Sequence, residues 1–245
     1  MGKKDLGYGF TNIDNKFILH YDRDVYSKFY KVIDLPTFEV IQSNGSSNHY
    51  FKDKNHVYLD SYMNSFCILE DVKPSDFEII DFENGFASTT HWDYVFEVRL
   101  PYRFKKIKEI GGMYQNVDDD IYFAYHHKVE GADAATFEVL HGQVVGNVAK
   151  DKSHVYFRHE IVSEADAKSF SFLKECFSDA YYRECDHTFY ALDRQSAFYI
   201  DTIAKNIKTI KTKNVEKFGF EVKDELGYAF DENYTYLFGK RKKRD

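Results

Sequence analysis

Aspartate recurs along this 245-residue chain in one local setting, so a battery of carboxylates is the first feature to test for chemistry. Asp22, Asp53, Asp119, Asp151, Asp193 and Asp231 each open a short polar run that closes on an apolar-aromatic pair. As catalytic acids they would have to sit in contrasting environments, because acid–base work by carboxylates needs two groups held at different pKa values. Repetition gives every copy the same surroundings instead. As calcium ligands they would need a dense loop of oxygen donors with glycine at its sharp turn. Asp118-Asp119-Asp120 is the dense run, and no such glycine follows it. What remains is mechanical: an Asp carboxylate accepts hydrogen bonds from amides two residues ahead and holds a tight turn. Asp22, Asp53, Asp151, Asp193 and Asp231 are therefore assigned as turn caps.

The other reactive residue types give less. His56 and His154 hold the same position in two copies, which points to a structural role, and the adjacent His126 and His127 should point to opposite faces of a strand. Cys185-Asp-His187, with Cys176 nine residues earlier, is the best candidate metal cluster but lacks a fourth ligand at a familiar spacing. No Gly-rich phosphate loop, nucleophile elbow, His-Glu-x-x-His or Cys-x-x-Cys occurs. The expectation is a non-enzyme without metal or cofactor. Three cysteines, an odd number without paired spacing, fit a reducing compartment. With no apolar run near the start and none long enough to span a bilayer, the expected location is the cytoplasm.

Charge narrows the partner. The net charge is −7, yet the final six residues carry five basic groups and one acid, which leaves −11 on the body before them. Such a field repels nucleic acid and steers basic proteins. Asp76-Phe-Glu78-Ile-Ile-Asp81-Phe-Glu83 alternates acids with large apolar groups, and with Asp118, Asp119 and Asp120 it forms the candidate partner-binding set. An ordinary half-buried strand is the competing reading of that segment. Lys205, Lys208, Lys211 and Lys213 interleave with isoleucines, as on one solvated face of an amphipathic segment, and residues 240–245 read as a disordered basic tail.

The elements that hold these residues follow from self-similarity. Tyr50-Phe-Lys-Asp-Lys-Asn-His-Val-Tyr-Leu59 and Val148-Ala-Lys-Asp-Lys-Ser-His-Val-Tyr-Phe157 match in register, with looser copies around Asp22, Asp118, Asp193 and Asp231 and a degenerate one at Trp92-Asp-Tyr-Val-Phe96. A second element, Asp34-Leu-Pro-Thr-Phe-Glu-Val40, recurs from Lys73, Asp133 and Asp166. Its Asp is expected to cap a short helical turn through its carboxylate. With 23 Phe and 20 Tyr, residues that suit a pleated, half-buried surface, the fold class is mainly β. The expected architecture is a meander of tandem β-hairpin repeats with short helical turns, with propeller-like closure as the alternative. Residues 1–239 should form one repeat domain of about six or seven hairpin units.

The Asp-Lys-Asn-His-Val-Tyr of residues 53–58, the Asp-Lys-Ser-His-Val-Tyr of residues 151–156 and Gly131-Ala-Asp-Ala-Ala-Thr-Phe-Glu-Val-Leu140 resemble the bacterial DKNYY family, over about residues 20 to 238. The family brings no catalytic motif to carry over, and some similar proteins stand beside polymorphic toxins as candidate immunity proteins. The resemblance implies a cytoplasmic immunity protein that binds and occludes a cognate toxin domain. A scaffold or recognition repeat protein without a toxin partner is the alternative, and the sequence leaves the oligomeric state open.

Overall fold

Runs of Tyr, Phe and Val between short polar turns form strands throughout the described residues. The computed structural model describes residues 2–62, 64–141, 145–178, 187–212, 214–223 and 226–243. Among the described residues seven four-stranded sheets follow one another in tandem, each an antiparallel meander in chain order, and none of them closes into a barrel. The first holds β1 (Lys3–Gly7), β2 (Phe10–Ile13), β3 (Phe17–His20) and β4 (Arg23–Val25). The second holds β5 (Glu39–Ser43), β6 (Asn48–Lys52), β7 (Val57–Ser61) and β8 (Cys67–Ile68). The third holds β9 (Glu78–Asp81), β10 (Phe86–Ser88), β11 (Asp93–Val95) and β12 (Val98–Arg99). The fourth holds β13 (Ile107–Gly111), β14 (Tyr114–Val117), β15 (Asp120–Phe123) and β16 (His127–Lys128). The fifth holds β17 (Glu138–Val139), β18 (Val148–Lys150), β19 (Val155–Phe157) and β20 (Glu160–Ile161). The sixth holds β21 (Ser171–Phe172), β22 (Thr188–Leu192), β23 (Ala197–Asp201) and β24 (Asn206–Ile210). The seventh holds β25 (Gly219–Lys223), β26 (Leu226–Phe230), β27 (Tyr234–Leu237) and β28 (Lys240–Lys243). Helical structure among the described residues is confined to short 3-10 turns, such as Leu35–Thr37 and Val215–Lys217. Two compact units divide the chain, Met1–Lys105 with the first three sheets and Lys106–Asp245 with the last four.

Within each unit the core lies between neighbouring sheets. The two central strands of a sheet are buried almost residue by residue, as in β6 and β7, because both faces are covered. Successive side chains alternate between the faces. Phe51 and Tyr58 pack with Phe10, Ile18 and Phe38 against the first sheet, whereas Tyr50, Val57 and Leu59 pack with Ala87 and Tyr94 against the third. Tyrosines also tie sheets by hydrogen bonds. The Tyr50 hydroxyl donates to the Gly85 carbonyl at 3.2 Å, Tyr114 to Arg158 at 2.8 Å and Tyr190 to Tyr236 at 3.3 Å. Burying the ring while spending the hydroxyl on a neighbour's backbone explains the tyrosine bias of the composition.

One expectation is corrected at the end of the chain. Lys240–Lys243 is not a disordered tail but β28, paired with β27 from Tyr234↔Lys243 to Leu237↔Lys240. The turn Phe238-Gly239, with φ of 48° and 68°, has the two left-handed residues that a tight hairpin requires. β27 gains a partner, and charge on both faces suits a strand that is exposed throughout.

Candidate functional site

The repeated aspartates are built into the turns between second and third strands. Asp53, Asp151, Asp193 and Asp231 are each at most 5% exposed. Oδ1 accepts the amides two and three residues ahead: Asn55 and His56 at 2.7 and 2.8 Å, Ser153 and His154 at 2.7 Å, Gln195 and Ser196 at 2.7 and 2.6 Å, Asn233 and Tyr234 at 2.8 Å. Oδ2 faces the segment that leads into the same sheet. It accepts the amides of Asp34, Asp133 and Asp166 at 2.7, 2.9 and 2.8 Å, and the Thr212 hydroxyl at 3.0 Å in the last sheet. The third-strand tyrosine donates to the same oxygen, from Tyr58, Tyr156 and Tyr236 at 2.6, 2.8 and 2.7 Å. In the sixth sheet Phe198 takes that position, without a hydroxyl.

The next residue completes a latch. Lys54, Lys152 and Arg194 pair with Asp34, Asp133 and Asp166, and their amides donate to Thr37, Thr136 and Ser169 at 3.1, 3.2 and 3.1 Å. The two repeated motifs are therefore the two halves of one clamp. Burial alone would raise the pKa of Asp53, Asp151 and Asp231, but the hydrogen bonds outweigh it and hold each carboxyl below the usual aspartate value. A depressed, fully bonded carboxylate is poorly suited to move protons near neutral pH.

Three details depart from the sequence expectation. Asp22 does not hold this position: it is the second residue of the β3–β4 turn, with φ 67°, where Asp tolerates the left-handed region. Asp118 and Asp119 form the same kind of two-residue turn between β14 and β15, and Thr89 replaces the aspartate in the third sheet, its hydroxyl accepting the amides of His91 and Trp92. The Asp34 carboxylate does not cap its 3-10 turn but accepts the Thr37 hydroxyl at 2.7 Å and pairs with Lys54.

The acidic candidates divide by what already holds them. Asp76 accepts both the amide and the hydroxyl of Thr90, which pulls its carboxyl below the ordinary range. Asp81 accepts the Asn84 side-chain amide at 2.7 Å and the Asn84 backbone amide at 3.1 Å, with the same effect. Asp118 pairs with Lys106 at 2.5 Å and Asp120 with Lys128 at 2.8 Å. Glu78, Glu83 and Asp119 are exposed. Asp76, Glu78, Asp81 and Glu83 lie in the first unit and Asp118 to Asp120 in the second.

The histidines are arranged differently from expectation. His126 and His127 do not diverge, because the turn at Ala124-Tyr125 rotates His126 out of strand geometry and brings the rings to 3.9 Å. His127 then stacks on His159 at 4.4 Å. Burial, then the neighbouring His126, His159 and Arg158, lowers its pKa to about 4. A histidine depressed in the fold protonates more readily when unfolded, so its contribution is present above about pH 6.5 and is lost as pH falls toward 4. His127→Phe should flatten the loss of stability between those pH values in urea melts; an unchanged acid limb would reject this assignment.

Cys176 is buried, its thiol pushed up to about 12 by burial, and its sulfur accepts the Tyr190 amide at 3.4 Å. Cys185 lies outside the described residues, among which no group of three or more His, Cys, Asp or Glu is placed to hold a metal.

A meander has two ends. The latches occupy one, and the turns joining first to second and third to fourth strands occupy the other. In the first unit this second end carries Tyr8, Tyr21 and Tyr62 at 50, 65 and 70% exposure, and Tyr62 meets Phe96 of the β11–β12 turn edge-on at 5.9 Å. The sequence expectation singles out none of these tyrosines. The signal that separates them is position, since each stands in a turn beside Gly9, Asp22 or Asn64 rather than at an alternating strand site.

The latch residues that the DKNYY motif repeats, Asp151-Lys152 to Tyr156, fall inside the stretch matched by the model of that family, residues 114–244, more than half of the chain. The chain belongs to the DKNYY family. In this member the motif itself is explained by the clamp: Asp takes the amides and tyrosine hydroxyl, Lys pairs with the aspartate of the incoming segment, and the final Tyr closes on Asp. A search of curated proteins gave no match to the sequence.

Proposed function

We propose that this DKNYY protein is a non-catalytic, cytoplasmic protein-binding protein of the immunity type, which binds a cognate bacterial toxin domain and covers its active site. The observation that carries the binding part is the second end of the first unit, where Tyr8, Tyr21 and Tyr62 expose large rings and the exposed acids Asp22 and Glu83 stand in turns of the same end. Tyrosine gives a large amphipathic contact area at low entropic cost, and is favoured in interfaces for that reason. The net charge of −7 steers a basic partner. The toxin part rests on the family resemblance.

The test is co-expression with the products of neighbouring genes, followed by isolation of a stable complex and assay of the toxin in it. Absence of any complex would reject the proposal. Where a complex forms, Asp22→Asn combined with Glu83→Lys should slow association roughly threefold to tenfold at low salt and flatten its salt dependence, leaving the melting curve unchanged. Glu78→Lys, at the other end of β9, is the matched comparison. Asp76 is unsuited to this experiment, because its carboxylate is bonded to Thr90.

A further inference from the structure

Between the outer strands β8 and β12 of the first unit lies a hollow of about 410 Å³, lined by Asn64, Cys67, Glu70, Tyr94, Glu97 and Arg99. That volume falls in the lower range of ligand clefts, about 300–1,000 Å³. Its charges are unevenly committed. The Arg99 guanidinium lies 4.6 Å over the Trp92 ring and pairs with Asp71. The Tyr94 hydroxyl donates to the Glu70 carbonyl at 3.1 Å. Glu97 is different: its Oε2 is buried and has no hydrogen-bond partner among the described residues. A buried carboxylate oxygen left unpaired is costly, and a rotation of the Glu97 side chain that brings it to a donor in the hollow recovers that cost. Glu97 belongs to the same β11–β12 turn as Phe96, whose ring meets the exposed Tyr62.

We infer that this hollow is a socket for one cationic side chain of a protein partner, an arginine above all, with Glu97 accepting from the guanidinium. The chemistry selects this ligand. An anion would meet Glu70 and Glu97, and a neutral apolar group would leave Oε2 unpaired. A planar guanidinium offers several donors and stacks on aromatic rings, which a compact ammonium does less well. Burial, then the nearby Glu97, pushes the Cys67 thiol up to about 11, so it stays neutral at pH 7 and adds no third negative charge. This rests on the proposed basic protein partner for its biological meaning, but its test needs no partner.

Acetyl-arginine-amide titrated into the full chain and followed by amide NMR should give saturable shifts at Cys67, Glu97 and their neighbours, with a dissociation constant on the order of millimolar. Acetyl-citrulline-amide, the same shape without the charge, should bind at least about tenfold more weakly, and so should the arginine probe to Glu97→Gln, by the loss of a charge-assisted bond. Equal binding of the two probes, no saturation by about 50 mM, or a folded Glu97→Gln that binds as well as the parent, would overturn the socket. The citrulline comparison uses the unaltered protein, so it decides even if Glu97→Gln fails to fold. A negative result leaves the toxin reading standing, and a failed toxin complex leaves a positive arginine titration intact.

Discussion

Replacing Asp151 with Ala is expected to destabilise the second unit by about 3–5 kcal/mol, the range for leaving buried polar partners uncompensated. The carboxylate accepts four hydrogen bonds, from the amides of Ser153, His154 and Asp133 and from the Tyr156 hydroxyl, and is 5% exposed. Removing it strands all four donors and loosens the segment that leads into β17. Asp151→Asn keeps one acceptor oxygen but sets an NH₂ group against the amide of Asp133 and the hydroxyl of Tyr156, so it should fall between Ala and the parent. Urea unfolding reads both. The pH dependence has a definite sign: the folded pKa is depressed, so the contribution is present above the unfolded value and is lost as pH falls through the folded one. In Asp151→Ala the acid limb below about pH 4 should be shallower. A loss under about 1 kcal/mol, the worth of an ordinary surface change, would sink the clamp.

Phe51→Ala should cost a comparable amount, about 3–5 kcal/mol, in the first unit. Phe51 is wholly buried and, besides His49 of its own strand, meets four rings from elsewhere, Phe10 at 5.1 Å, Phe38 at 5.2 Å, Tyr26 at 5.4 Å and Phe66 at 6.0 Å. These come from the first sheet, the segment between the first two sheets, and the loop before β8, so one side chain joins three pieces of chain. Phe51→Leu, which keeps most of the volume, should cost well under half as much. Urea unfolding of the two variants, followed by tyrosine fluorescence, gives the comparison. Equal losses would mean that ring contacts, not filled volume, set the energy.

The hairpins were legible because they repeat. Asp53 and Asp151, with Lys, His, Val and Tyr in register, announce a turn and the strand after it, and the alternation of Tyr50 with Phe51 announces a strand covered on both faces. The clamp was not legible as one object. Asp34 and Asp53 lie 19 residues apart, Asp133 and Asp151 18, and Asp166 and Asp193 27, and nothing local says that the amide of one donates to the carboxylate of the other. The helical-turn signal at Asp34-Leu-Pro-Thr was real, but Lys54 and the Thr37 hydroxyl take up the carboxylate first. At the other turns the same letters mean something else. Asp22 and Asp119 sit in two-residue turns, where backbone conformation rather than side-chain acceptance selects Asp. β28 was hidden by its charge, since four consecutive basic residues resemble a solvated tail until Phe238-Gly239 is recognised as a hairpin turn. The exposed acids were partly visible. Which of them are already bonded, as Asp76 is to Thr90, depends on contacts 14 residues away.

The repeated aspartates are fully bonded structural acceptors rather than acids held ready for chemistry. Carbon-13 titration of the side-chain carboxyls of Asp53, Asp151 and Asp231 tests this residue by residue. All three should titrate below the ordinary aspartate value and show no step between pH 5 and 8, since the hydrogen bonds favour the ionised form. A carboxyl among them that titrates above that value, toward neutral pH, would contradict this structural role and make that aspartate a candidate acid–base group.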